Sequence, residues 1–264
     1  MKPAARRGPF REGWRKRWGK ALAGTGAFLC LAWTPWPAAP GAVYEPDPEG
    51  RPTEILRADA PNMRYAAMGQ PACEAELTRR GVPFVRGEAT EGVAEPVRFR
   101  GPVRGVSIHG TLDPKARATS PMEIFDCRLA LAMDDFAALA ASRGVVEMVH
   151  LSAYRSRAAH GCTPKYDGLQ HCGALAVDIA SFKRSDGTVW NVLRDFHGKV
   201  GSPTCGPAAR PSSTAPATAG LWSLVCDSAA AGIFHVMLTP NHNAEHVNHF
   251  HVEITPNANW MLIQ

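Results

Sequence analysis

Apolar positions recur at two spacings along this chain, and the places where one spacing gives way to the other outline its elements. From Ser120, with Pro121 at the first helical position, to Ser142, the residues Ile124, Leu129, Leu131, Phe136 and Leu139 fall at helical spacing, and Gly144 ends the run. Shorter helices are expected over Cys73–Arg80, stopped by Gly81, over Trp190–His197 and over Ser228–Leu238. Strands are expected at Val82–Val85, at one or two places within Val97–His109, and at Val145–Tyr154, Ala174–Phe182 and His249–Thr255. Helices mixed among strands without regular alternation predict an α+β fold, a small antiparallel sheet flanked by helices, and not a doubly wound one. The stretch 43–70, rich in proline and charge over much of its length, reads as a linker into a domain spanning 71–264. Within that domain, 201–220 reads as a flexible inserted loop of Pro, Ser, Thr, Ala and Gly.

The charge of the chain changes this picture at one end only. The net charge of +5 is carried by the first 20 residues, which hold eight of the 29 Lys and Arg but one of the 24 acidic residues. The remainder therefore carries 21 cations against 23 anions, and offers no basic footprint for nucleic acid. After the basic start come an apolar run from Ala21 to Trp33 and then Pro35, Pro37, Ala38, Ala39, Gly41 and Ala42. That order predicts a secretory signal over 1–42, and with it a periplasmic or extracellular protein. The alternative is an uncleaved N-terminal anchor, which would be the chain's one attachment to a membrane; the run falls short of the roughly 20 apolar residues of a spanning helix. Beyond Cys30, the cysteines are Cys73, Cys127, Cys162, Cys172, Cys205 and Cys226. In an exported protein six cysteines read as disulfides, and no close Cys-x-x-Cys pair suggests a zinc ribbon. Cys73 is expected to pair with Cys127, with the other four bracing the region of the candidate site.

That site is built from two segments, Gly168–Ile179 and His246–Glu253. On a strand, residues two apart share a face, so His249 and His251 point one way while Phe250 and Val252 point the other. Asp178 stands among Ala176, Val177 and Ile179, where a carboxylate is unfavourable unless paired or bound to metal. His171, on the turn before that strand, returns toward Asp178 if Cys172-Gly173-Ala174 bends the chain, with Gly173 supplying the freedom to bend. His171, Asp178 and His251 are then two imidazoles and a carboxylate, a set that suits zinc with one coordination position open. Arg155 and Arg157, at a strand end, are placed to hold a peptide carboxylate or charge developing on a carbonyl oxygen. His160, His197, His235 and His242 carry no supporting pattern, and Trp190, Trp222 and Trp260 read as core. No Gly-x-Ser-x-Gly turn is present, which favours water as the nucleophile over serine.

Four stretches resemble the bacterial extensin-like C-terminal domain family, from about Cys73 onward. They are Asp126 to Ala132, Tyr154-Arg155-Ser156, His171 through Phe182, and Asn241 through Glu253. Through that family the chain is similar to zinc peptidases that cut D-alanyl bonds in peptidoglycan, including D-Ala-D-Ala dipeptidases and murein endopeptidases. The resemblance implies zinc ligands at His171, Asp178 and His251, a catalytic role for His249, a supporting one for His246, and an arginine beside the substrate at Arg155. Three positions depart from the pattern. Asn248 stands where the peptidases carry an acidic residue, so a general base must be sought at His249 or His246. Ala174 stands where a glycine is expected, with Gly173 displaced by one, and a cysteine expected near Val97–Val106 is missing.

The expected function is an exported zinc peptidase acting on peptidoglycan peptides. The alternatives are a wall-binding module that keeps the metal pocket without cutting, which Asn248 favours, and a disulfide-braced domain without metal.

Overall fold

The longest helical run begins later than its apolar spacing suggests, for a reason written in two capping residues. In the computed structural model, which describes residues 54–55, 59–158, 162 and 168–264, Ser120 caps only a short 3-10 turn over Pro121–Glu123. The chain then extends through Phe125–Asp126, and Asp126 accepts from the Arg128 amide at 3.0 Å to start the helix at Cys127.

In chain order the elements are β1 (Glu54–Ile55), α1 (Pro61–Ala66), α2 (Gln70–Arg79), β2 (Phe84–Arg86), β3 (Pro96–Phe99), β4 (Ser107–Gly110), α3 (Pro114–Arg117), β5 (Phe125–Asp126) and α4 (Cys127–Ala141). There follow β6 (Val145–Ser152), β7 (Ala176–Arg184), β8 (Val189–Asn191), α5 (Val192–Asp195), α6 (Pro216–Ala230), β9 (Val236–Leu238), β10 (Phe250–Glu253) and β11 (Trp260–Ile263).

The sheet is larger and less uniform than expected. Eight strands join in the order β1-β11-β9-β10-β7-β6-β4, with β8 added to β7, while β2, β3 and β5 form a separate three-stranded sheet. The pairs β11–β9 and β4–β6 run parallel, so the main sheet is mixed and not a small antiparallel one. Helices and sheet meet in one core. Phe136 of α4 packs edge-on against Phe182 of β7 and Phe234, and Phe250 of β10 lies against Phe182 and Phe196. Val177, Ile179, Phe250 and Val252 all point into this core and are buried, which leaves their alternate neighbours on the opposite face.

Other boundaries moved as well. Residues 43–70, expected as linker, contribute β1, which pairs with β11, and α1, which packs on α4. The last helix occupies Pro216–Ala230, with proline at its start, and what was read as its second half is the turn at Gly232 (φ +63°) and strand β9. The 201–220 stretch is thus helical from Pro216, and before it Thr204 is buried and shares a hydrogen bond of 3.1 Å with Thr239. The Trp190–His197 helix is the single turn α5, capped by Asn191 after the edge strand β8. The segment 1–42 lies outside the described residues, and among those described no helix is long and apolar enough to cross a membrane.

The cysteines pair as Cys73–Cys127, Cys162–Cys172 and Cys205–Cys226. The first ties α2 to the start of α4. The second closes on the residue after His171, and the third fastens the 201–215 segment to α6.

Candidate metal centre

One irregularity decides which side chains the sheet turns toward the site. Along β6 and β7, Val149 pairs with Ser181 but His150 pairs with Ile179, so Ala180 is an extra residue in β7. By strict alternation Asp178 and Phe182 would share a face. The bulge lets Phe182 join the core while Asp178 stays on the opposite side, the re-aiming that bulges perform beside functional sites. His251 lies directly across from Asp178 on β10, and Ser152 across from it on β6, so the three face one region.

His171 arrives on a 3-10 turn, Gln170–Gly173, bracketed by two non-glycine residues in the left-handed region, Gln170 (φ +46°) and Ala174 (φ +52°). Ala174 occupies the position where a glycine was expected, and its backbone has the conformation glycine favours. Gly173 is needed for a different reason from the one anticipated. A Cβ there would stand 2.5 Å from the backbone of Gly168, so close approach of two chain segments, and not freedom to bend, requires it.

The three ligand candidates converge. His171 Nε2 and His251 Nδ1 each lie 3.1 Å from Asp178 Oδ1 and 3.2 Å from each other, and all three residues are buried. Zinc bonds of about 2.0–2.1 Å at tetrahedral angles set donor atoms about 3.3–3.4 Å apart, close to this triangle. The partners behind each ligand fix its protons. His171 Nδ1 is 2.8 Å from the Ala153 carbonyl, which can only accept, so in the neutral ring Nδ1 carries the hydrogen and Nε2 presents a lone pair. Glu253 Oε2 lies 3.4 Å from His251 Nε2 and acts the same way, leaving Nδ1 bare. Arg155 (2.5 Å) and Ser152 (3.3 Å) engage Asp178 Oδ2, turning Oδ1 inward. Once both rings are neutral, three lone pairs therefore face one point, an arrangement that a cation relieves, and second partners of this kind orient ligands at metal sites.

Burial drives the His171 ring down, toward its neutral form. At Asp178 burial is the largest influence and pushes the carboxyl up, but its contacts with His171, His249 and His251 outweigh that and hold it far below the usual range. His251 is also most affected by burial, which lowers it, yet Asp178 and Glu253 together push it up to about 9. His171 faces one carboxylate and His251 two, which is why they shift in opposite directions. The pocket favours an added positive charge beside His251.

His249 and His246 flank the triangle. His249 Nε2 lies 3.3 Å from Asp178 Oδ1, and its Nδ1 meets the Asn248 amide oxygen at 2.8 Å. Its ring centroid is 5.2 Å from that of His246, which in turn is 5.9 Å from His251 and 5.1 Å from His242. Burial, followed by the neighbouring His251, His249 and His242, pushes His246 down to about 3, so its ring is neutral. The structure thus brings together His171, Asp178, His251, His249, His246 and Arg155. Arg157 is turned away, paired with Glu91 at 3.0 Å on the surface.

Sequence reasoning missed Ser152, Glu253, His242 and the Ala153 carbonyl. Glu253 was within reach, because His251-x-Glu253 obeys the same two-residue rule as His249-x-His251. A second triangle, Cys73, Glu95 and Cys127, is no metal centre, since both sulfurs are joined in a disulfide.

Residues 71–263 match the family described as extensin-like protein C-terminus. The chain belongs to that family. Comparison with curated proteins and with solved structures gives no match. The match covers the whole of the extensin-like domain's main sheet except β1, together with every residue of the cluster around Asp178.

Proposed function

We propose that this extensin-like protein is an exported zinc-dependent peptidase that hydrolyses peptide bonds in peptidoglycan. The observation that carries the proposal is the convergence of His171 Nε2, His251 Nδ1 and Asp178 Oδ1 with their lone pairs fixed inward by Ala153, Glu253, Arg155 and Ser152. Two imidazoles and one carboxylate hold zinc with a fourth position open. Zinc bound there supplies a Lewis acid and lowers the pKa of water to about 7.

The chain's own residues divide the remaining work. Asn248 accepts from His249 Nδ1, which leaves Nε2, 3.3 Å from Asp178 Oδ1, as the ring nitrogen that takes a proton from the attacking water and returns it to the leaving amine. Asn248, which cannot itself be a base, serves here to set the tautomer of one. Arg155 holds Asp178 and keeps part of its guanidinium at the surface, with 39% of its side chain exposed, where it can meet a substrate carboxylate or oxyanion. The relationship to peptidases of D-alanyl bonds belongs to this proposal, as does export, which the basic and apolar start of the chain and the three disulfides support.

The test is metal analysis of protein purified without chelator, together with chromatography of fragments released from purified peptidoglycan. One equivalent of zinc and new amino termini are expected. Protein that takes up no metal would end the proposal. Metal with retention on the wall but no released fragment would favour the second reading, a wall-binding module, which the absence of an acid at Asn248 supports.

A further inference from the structure

The main sheet ends on one side at β4, and the outer edge of that strand is only partly closed. Val106 exchanges both of its main-chain hydrogen bonds with Val103, at 2.8 and 2.9 Å, and the Gly110 N–H is taken by Glu123 Oε1 at 2.8 Å. Both residues thus turn their main chain away from β6. By the two-residue alternation of a strand, the N–H and C=O of Ile108, between them, point the same way, and no described group meets either. At this edge the surface opens into a groove of about 340 Å³, with Phe99 and Ile108 in its lining and three arginines, Arg98, Arg100 and Arg117, beside them. Its one carboxylate, Glu123, is already engaged by the Gly110 N–H and by His150 Nε2 at 3.2 Å. Arg98 is buried and occupied, by Glu88 and by the Ser120 carbonyl at 2.7 Å. Arg100 and Arg117 make no hydrogen bond or ion pair with a described residue; Glu88 and Glu123 act on them only through space.

We infer that this groove is a second binding site, for an extended peptide that adds itself to β4 through Ile108 and brings a carboxylate to Arg100 and Arg117. Two separate features select that ligand. An N–H and a C=O left open on a strand edge are met by the main chain of an added strand. Two guanidinium groups without partners call for carboxylates, whose two oxygens match their fork of donors. Charged side chains also guard edge strands against pairing, but such guards stand on an open edge. Here the edge lies inside a groove of the size that holds small ligands, which takes one segment of chain and not the rim of another sheet. The strand order β7-β6-β4 puts this edge two strands from Asp178. A second peptide site there is compatible with the proposed cleavage of wall peptides, which themselves end in carboxylates. It does not rest on that reading and needs no metal.

The experiment is calorimetric titration of the full chain with acetylated and amidated hexapeptides. One alternates valine with glutamate, a second has glutamine in place of glutamate, and a third is the glutamate peptide N-methylated at alternate bonds. The glutamate peptide should bind saturably, and the other two at least about tenfold more weakly. Arg100→Gln and Arg117→Gln should each weaken the glutamate peptide about tenfold, the worth of one charge-assisted hydrogen bond, and leave the glutamine peptide unchanged. Arg194→Gln, which removes the same charge from α5, should change neither, and circular dichroism checks that each variant is folded. No binding of the glutamate peptide, equal affinity for the glutamine or the N-methylated peptide, or unchanged affinity in the folded Arg100 and Arg117 variants would overturn the inference. So would inorganic phosphate binding as tightly as the glutamate peptide, since the groove would then read charge alone.

Discussion

At the scale of single residues, the cluster around Asp178 assigns each side chain a distinct consequence. His249→Ala should lower kcat by about 10²- to 10⁴-fold, the usual worth of a positioned acid–base group, while bound zinc stays near one equivalent; unchanged turnover would remove His249 from the chemistry. Glu253→Gln keeps the shape but weakens the acceptor behind His251. Zinc affinity should fall about 10- to 100-fold, measured by competition with a chromophoric chelator. A third prediction lies outside the site. Glu95 is buried, its Oε2 has no hydrogen-bond partner among the described residues, and burial, with Asp126 nearby, pushes its carboxyl up to about 7. A raised carboxyl pKa favours the folded state fully below pH 4.5, and that contribution is lost as pH rises through about 7. The loss is at most about 3 kcal/mol. Glu95→Gln should therefore be more stable than the parent in urea at pH 8, with the difference shrinking toward pH 5; parallel pH profiles would refute this. The convergence of the candidate residues was legible because alternation on a strand and an acid in an apolar run are visible one residue at a time. Ser152 and the Ala153 carbonyl were not, because their only claim to the site is a tertiary neighbour across β6.

Among the elements, the 3-10 turn Gln170–Gly173 is the least tolerant part of the site. Gly173→Ala would drive a methyl into the Gly168 backbone, which has no flexible atom to give way. The turn must shift, taking His171 with it, so zinc affinity should drop by at least about tenfold, the scale on which a supporting residue matters. Isothermal titration would detect it, and wild-type affinity in the variant would show that the turn has room. Element types were largely readable from the sequence, while boundaries failed where capping competed with periodicity. Ser120 and Asp126 both head apolar helical runs, and only pairing of β5 with β3 reveals that the chain is extended between them. The bulge at Ala180 had no signal in the sequence at all. It is set by register against β6, which local patterning does not encode.

Across the whole molecule, metal and fold should be linked. The candidate ligands come from β7, β10 and the turn between β6 and β7, so an ion bound to the native state alone stabilises all three together. On the proposed zinc reading, removing the metal with a chelator should lower Tm, and restoring it should recover the original value. The linkage has a sign in pH as well. In the metal-free protein the proton of His251 persists up to about 9 and must leave before the ring can bind an ion. Zinc affinity should therefore rise from pH 6 to pH 9, by up to about tenfold per unit for one displaced proton. Titrations at three pH values measure the slope, and a flat profile would mean that His251 is no ligand. The mixed sheet was beyond reach of the sequence at this scale, since the parallel pairs β4–β6 and β9–β11 join segments with long stretches of chain between them.

The hydrogen bond from His171 to the Ala153 carbonyl has a consequence for how such a site drifts. An acceptor supplied by the peptide unit cannot be erased by exchanging a side chain, whereas Glu253, its counterpart behind His251, can be lost in one substitution. On the proposed metal reading, mutational decay of this centre should therefore start on the β10 side, and variants that no longer bind an ion should still hold His171 in its present orientation.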